Sequence, residues 1–285
     1  ILNIFYSIYF DFILGINSYL VTLAISLSVG LLFCYLGYHH SKNIYPIDQI
    51  VLIVLSFLYI PILVSIPYFL SIYDIGLLDA YFESVSGITT TGFSIIQNFK
   101  NIDEPLLLWR SSSQWLGGLL FLIAIIGTLG SKQIRIKPAY LVSTEASGRN
   151  FYNNFNYNFF KILTIYFMST LLIIFLLTLT NIRLLDSLHL AFTTISSGGF
   201  IPEKNLSNIV RNDLQIFILS ITLLFPLINF YLFFKIFTRQ FKFNEQQEDL
   251  HLIIIIVLLT LIFYFFIIPN ETISSVFLSV VSSIT

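Results

Sequence analysis

A single cysteine, Cys34, in 285 residues excludes a disulfide framework or a cysteine-based metal site within this chain. Charge is nearly as scarce. With 10% charged residues against 56% hydrophobic, and a mean hydropathy of +0.87, there is too little polar surface to cover a soluble domain. The chain also lacks the short alternating segments of a membrane barrel, so the long Leu, Ile and Phe runs must satisfy their backbone internally, as helices do. No glycine-rich phosphate loop, nucleophile–base constellation or basic nucleic-acid patch occurs, which argues against an enzyme and against a nucleic-acid partner. The chain opens on Ile1, and the apolar run before Asp11 is too short to span a bilayer or to form a signal peptide. It reads as the end of a longer helix, and the C-terminal residues read as a unit cut short.

What is present is a series of apolar runs. A hydrocarbon core of about 30 Å needs roughly 20 apolar residues per helix. Six segments meet that length, at about 17–37, 48–70, 105–130, 159–180, 212–237 and 250–268. The fold class expected is an all-α membrane protein with lipid around it. Pro226, within the fifth segment, is expected to kink or break it. Basic residues supply an orientation: Lys42, Lys132, Arg135, Lys137, Arg149, Lys161, Lys235, Arg239 and Lys242 fall on one side, against Lys100, Arg110, Arg183, Lys204 and Arg211 on the other. The richer side is expected to be cytoplasmic. Most acids fall on the opposite side, where they would concentrate cations.

Between the apolar runs lies a repeat. Asp79 to Phe93 (DAYFESVSGITTTGF) and Asp186 to Phe200 (DSLHLAFTTISSGGF) share a helix-like stretch, a hydroxyl-rich tip, a glycine and a phenylalanine, at an offset of 107 (186 − 79). Phe277 to Thr285 begins a third copy. This organisation predicts repeated helix–pore loop–helix units around a central ion pathway: N-terminal helices in 1–45, a first unit in 46–156, a second in 157–246 and a truncated third in 247–285. A closed ring calls for a fourth.

At the tips, Thr89, Thr90, Thr91, Gly92 and Phe93 align with Ser196, Ser197, Gly198, Gly199 and Phe200, with Thr285 at the start of the third. A dehydrated monovalent cation needs several oxygens at once, and backbone carbonyls turned by dihedral-tolerant residues can supply them, with hydroxyls beside them. No acid lies between Ser84 and Gln97, as a filter for monovalent ions requires. Short helices are expected over about 77–88 and 184–195, their C-terminal carbonyls facing the cavity. Arg110 is expected to tie the first loop to its outer helix through Glu83 or a loop carbonyl, with interfacial anchoring of Arg110 together with Trp109 as the alternative. Gln114 bonds either the back of the filter or another helix, and Gly117 and Gly118 permit close helix approach.

SGITTTGFS at Ser86 to Ser94, WRSSSQWLGG at Trp109 to Gly118 and AFTTISSGGF at Ala191 to Phe200 resemble the TrkH-like membrane subunits of the Trk/Ktr/HKT potassium transporter superfamily. The extra N-terminal helix ending at Tyr38-His39-His40 is similar to the Trk branch. The resemblance implies a potassium-channel-like pseudo-fourfold arrangement in the bacterial inner membrane. It implies K⁺ as the transported ion and no covalent cofactor. The partners implied are a second copy in a homodimer and a cytosolic nucleotide-binding regulatory subunit of the TrkA kind. It carries K⁺ coordination to Thr90, Thr91, Gly92, Ser197, Gly198 and Gly199, with Glu83, Arg110 and Gln114 in support. Glycine at Gly92, where sodium-preferring relatives have serine, leans toward potassium, and Ser196-Ser197 departs mildly from the family's usual Ala-Thr. The alternatives are a Na⁺-permeable or cation-coupled transporter of the same superfamily and, remotely, a redox subunit using His39, His40, His189 or His251 as haem or quinone ligands. No two of these histidines share a depth within a bundle, which disfavours that last reading.

Overall fold

A computed structural model describes residues 1–38, 46–96, 102–129, 151–227, 247–267 and 271–285. Among them the regular structure is helical. The chain forms α1 (Leu2–Tyr9), α2 (Ile13–Gly37), α3 (Pro46–Phe69), α4 (Leu77–Ile88) and α5 (Glu104–Leu129). After these come α6 (Phe151–Leu179), α7 (Leu184–Ser196), α8 (Asp213–Leu223), α9 (Gln247–Ile262) and α10 (Ile273–Ile284). Helices contained in α2, α3 and α6, and one running from α9 into a wider turn at Phe263–Ile267, are long and apolar enough to cross a bilayer.

Two of the six expected spans differ from their sequence reading. The stretch over 105–130 is helical for 26 residues as α5, but its first half carries the buried polar side chains Arg110, Ser111, Ser113 and Gln114. The stretch over 212–237 is helical only to Leu223 and passes into a turn at 224–227 that holds Pro226. A proline has no N–H to continue the ladder, so the helix stops ahead of it. The remainder of that stretch lies outside the described residues, as do His39, His40, Lys42, Lys100, Lys132, Arg135, Lys137, Arg149, Lys235, Arg239 and Lys242.

The three short helices follow the sequence repeat. They begin at Leu77, Leu184 and Ile273, the first two separated by the repeat offset of 107 (184 − 77). Asp79 and Asp186 occupy the first turns of α4 and α7, where a carboxylate complements the positive end of the helix. Thr272 caps α10 by accepting the Ser275 N–H. These helices invert the usual polarity. Glu83, Ser84 and Ser86 of α4 are buried, as are Ser187, His189, Thr193 and Thr194 of α7, while Leu31, Phe33, Leu52, Tyr59 and Ile255 on the long helices are exposed. An apolar exterior around a polar interior is the arrangement that lipid as solvent selects.

The chain divides into two compact units. The first comprises residues 1–135 together with Gly198–Lys204, a strip that follows α7 in sequence but packs with α1 to α5. Its core joins Val64 and Tyr68 of α3 to Ala80 and Ile88 of α4 and Leu106 of α5. Trp109 donates its indole N–H to the Val64 carbonyl at 3.0 Å, pinning α5 to α3. In the second unit, Ile256 of α9 packs on Val280 and Val281 of α10. Ser274 of α10 donates to the Asp213 carboxylate of α8 at 2.9 Å. Gln215 of α8 donates to the Thr180 carbonyl at 2.9 Å.

Asp103 precedes α5 and sets its starting point. Its carbonyl accepts the Leu106 and Leu107 N–H groups at 3.1 and 3.2 Å, and its own N–H donates to the Tyr73 hydroxyl at 2.7 Å. Burial pushes its carboxyl above the usual range, with the Tyr73 hydroxyl bond opposing that rise. A carboxyl whose pKa is raised on folding contributes stability below its unfolded value and loses it as pH rises through the folded value. The Asp103→Asn variant is therefore expected to melt at or above the wild-type temperature in detergent at pH 7, with the advantage gone at pH 4. A lower melting temperature at pH 7 would show that the charge is needed.

Candidate functional site

The two loop tips share an unusual backbone. At aligned positions Thr90 and Ser197 have φ of 55° and 54°, and Gly92 and Gly199 have φ of 82° and 78°. The residue between each pair stays at negative φ. A β-branched threonine in the left-handed region costs on the order of 1–3 kcal/mol, so the surroundings must hold it there. The cost has an evident product. In the first tip the N–H groups of Thr89, Thr90 and Thr91 turn back onto the carbonyls of Val85, Gly87 and Ser86 at 2.8, 3.0 and 3.0 Å. The carbonyls of Thr90, Thr91 and Gly92, and those of Ser197 and Gly199, accept no hydrogen bond among the described residues. In the first tip the donors from Thr89 to Gly92 are used internally, and the acceptors of Thr90 to Gly92 are left over.

The first half of α5 forms a polar face behind the tips of the first unit. Arg110, Ser113, Gln114 and Gly117 follow i, i+3, i+4, i+7 spacing and so share one side of the helix. Arg110, 2% exposed, donates from Nε to Glu83 Oε1 at 2.7 Å and from Nη2 to Ser94 Oγ at 3.0 Å. Its guanidinium carbon lies 4.3 Å from the centre of the Phe200 ring. Glu83, 1% exposed, also accepts from the Ser94 hydroxyl and from the Ile95 N–H at 3.2 Å. The pairing of Arg110 with Glu83 is one of the options its sequence position left open.

Gln114 is fully buried and uses both ends of its amide on the strip from the second loop. Nε2 donates to the Gly198 carbonyl, and Oε1 accepts the Phe200 N–H at 3.0 Å. The glutamine that follows the first loop thus holds the second. Contact here is close enough that only glycine fits. A Cβ on Gly198 would overlap the Gln114 amide, one on Gly92 the Gly198 carbonyl, one on Gly87 the Ser113 hydroxyl, and one on Gly117 the Ile88 carbonyl.

The remaining site residues have distinct places. The Thr89 hydroxyl donates to the Val85 carbonyl and lies 2.7 Å from the Thr91 hydroxyl. The Ser196 hydroxyl is turned back onto the Phe192 carbonyl at 2.8 Å and so serves its own helix. Thr285 ends α10, its hydroxyl donating to the Val281 carbonyl at 3.2 Å. Phe93 and Phe200 occupy the same motif position with opposite environments, 70% and 2% exposed. His189 is buried on α7 and His251 lies on α9. No group of three His, Cys, Asp or Glu side chains among the described residues is placed to hold a metal ion. Sequence reading missed Ser86, which donates to the Phe93 carbonyl, and Ser94, which joins the Glu83–Arg110 pair. Ser94 carried a signal, since it directly follows the Gly92-Phe93 pair.

Repeated helix–pore loop–helix units in an apolar exterior define an all-α membrane protein of the pore-loop class. Comparison with known proteins narrows the class. A cation transporter of Methanocaldococcus jannaschii, described as uncharacterized, is 30% identical over 225 residues, covering 74% of this chain and 44% of that protein. The Trk system potassium uptake protein TrkI of Halomonas elongata is 32% identical over 127 residues, covering 45% of this chain and 25% of that protein. The crystal structure of the potassium transporter TrkH from Vibrio parahaemolyticus superposes with a TM-score of 0.69 at 20% identity, covering 99% of this chain and 61% of that one. No protein-family model matches. The chain spans less than half the length of the curated relatives it matches. Its sequence is similar to those of Trk-system potassium uptake proteins, and its fold is that of TrkH.

The buried ion pair yields a double-mutant test. Removing one partner leaves an uncompensated charge, at a cost of about 3–5 kcal/mol. Arg110→Met and Glu83→Gln are each expected to lower the melting temperature and the monodisperse fraction of the full-length protein in detergent. The double variant is expected to recover most of the loss; additive losses would show that the pair is not one unit.

Proposed function

We propose that this chain forms part of a pathway for K⁺ uptake across the inner membrane of a bacterial-type cell. The observation that carries the reading is the set of carbonyls at the aligned, left-handed tips that have no partner among the described residues. These residues are half-buried or exposed, so their carbonyls are open to an outside partner, and a dehydrated alkali cation is one that takes several such oxygens without fixed negative charge. Thr90, Thr91 and Gly92 supply them from the first loop, and Gly199, with Ser197 beside it in sequence, from the second. The hydroxyls of Thr89 and Thr91 add polarity at the mouth. Relatives named as Trk potassium uptake proteins support K⁺ as the ion. Membrane potential drives entry, at about 2.3 kcal/mol per charge per 100 mV.

In this reading Glu83, Arg110 and Gln114 are supports that touch no ion. Thr285 begins the filter segment of the third unit. A second copy and a cytosolic nucleotide-binding subunit complete the working assembly, by analogy with the Trk systems.

The full-length protein is expected to rescue growth of a potassium-uptake-deficient strain at low K⁺, and failure despite good membrane expression would refute the proposal. The Gly92→Ser variant is expected to lower K⁺ flux about tenfold or more, equivalent to ~1.4 kcal/mol on the barrier. The reason is that a side chain there meets both a positive φ and the Gly198 carbonyl. Unchanged flux and selectivity would remove the first loop from the pathway.

A further inference from the structure

The two tips are alike in backbone but differ at one carbonyl. Thr91 of the first loop aligns with Gly198 of the second, and the Thr91 oxygen accepts nothing among the described residues, whereas the Gly198 oxygen is bonded to Gln114. Building on the proposed K⁺ pathway, the geometry points to Gln114 as a positioning residue that holds the Gly198 carbonyl out of the ion file. The two loops then contribute unequal numbers of ligands, and Gly198 is not a K⁺ ligand as its alignment implies.

Three observations converge on this. The peptide between Gly198 and Gly199 is flanked by glycine on both sides, so steric resistance to its rotation is lower than at the matching peptide between Thr91 and Gly92. Left alone, it would turn its oxygen toward a cation as readily as away. Second, the Gln114 amide grips the segment at two points, the Gly198 oxygen and the Phe200 N–H, which together fix the orientation of the backbone between them. The glutamine is fully buried, so water does not compete for either bond. Third, the Gly198 oxygen faces Gly92 closely enough to exclude a Cβ there, so it also spaces the two tips. The position is specific to this helix. The residues of α8 aligned with Arg110 and Gln114 are Phe217 and Ile221, which can neither pair with a carboxylate nor grip a peptide.

The test is the structure of the full-length protein in K⁺ and in Tl⁺, whose density reports bound sites directly. The Gly198 oxygen is expected to remain on Gln114 and about 3.5 Å or more from every ion, while Thr91 coordinates one. Coordination by Gly198 would overturn the inference and leave the K⁺ reading standing; absence of any ion beside Thr90 to Gly92 would overturn both. Two variants separate positioning from bulk stability. Gln114→Met and Gln114→Leu each remove both bonds and keep an apolar side chain of similar size. Each is expected to change the K⁺ over Na⁺ uptake ratio about tenfold at a given level of folded protein. An unchanged ratio in folded Gln114→Met or Gln114→Leu would overturn the inference. Where the variants do not fold, the wild-type ion structure decides alone.

Discussion

The buried pair of Arg110 and Glu83 is the interaction on which the first unit depends. Each charge would be prohibitive alone in a solvent-free interior, and at 2.7 Å, with a serine and a backbone N–H bonded to them as well, they form a neutral polar knot. From that knot Glu83 secures the descending arm of the first loop through Ser94 and Ile95. Arg110 covers the Phe200 ring of the second loop. One ion pair therefore joins the two loops and the helix behind them.

Around this knot, α5 acts as a template. Its four-residue face meets α4 through Ser113 and Gly117, the returning arm of the first loop through Arg110, and the second tip through Gln114. Glycines stand at the closest approaches because any Cβ would meet a backbone oxygen or a buried side chain. The left-handed residues at the tips are held in place by this packing, and their strain buys a row of carbonyls free of hydrogen bonds. In the proposed pathway, function follows from leaving backbone acceptors unmet among the described residues and then preventing the backbone from relaxing to meet them.

Much of this was legible before the structure. The short helices over 77–88 and 184–195 follow from a polar stretch of repeat length between long apolar runs, and they form as α4 and α7 with ends within one residue. A charge at a helix end near lipid needs a partner or a way out to the interface, so Arg110 pointed to Glu83 or a loop carbonyl, or to the interface, and only the structure shows its bond to Glu83. Other features were not legible. Pro226 permits either a kinked helix or a broken one, and the choice of a turn at 224–227 depends on neighbours. Phe93 and Phe200 occupy identical motif positions yet differ in burial: the Phe200 ring lies under the Arg110 guanidinium, and the Phe93 ring is exposed.

The amino-acid sequence by itself determined the solvent, the helical class, the repeat and the neutral, hydroxyl-rich chemistry of the tips. These depend on composition and on local spacing, which act within a few turns of chain. Only the tertiary structure decided that Gln114 reaches the second loop, 84 residues away, and that Gly198 to Lys204 packs with α1 to α5. Which carbonyls are left unpaired was decided there too, since a carbonyl's partner is set by where distant elements come to rest, and no local pattern encodes that.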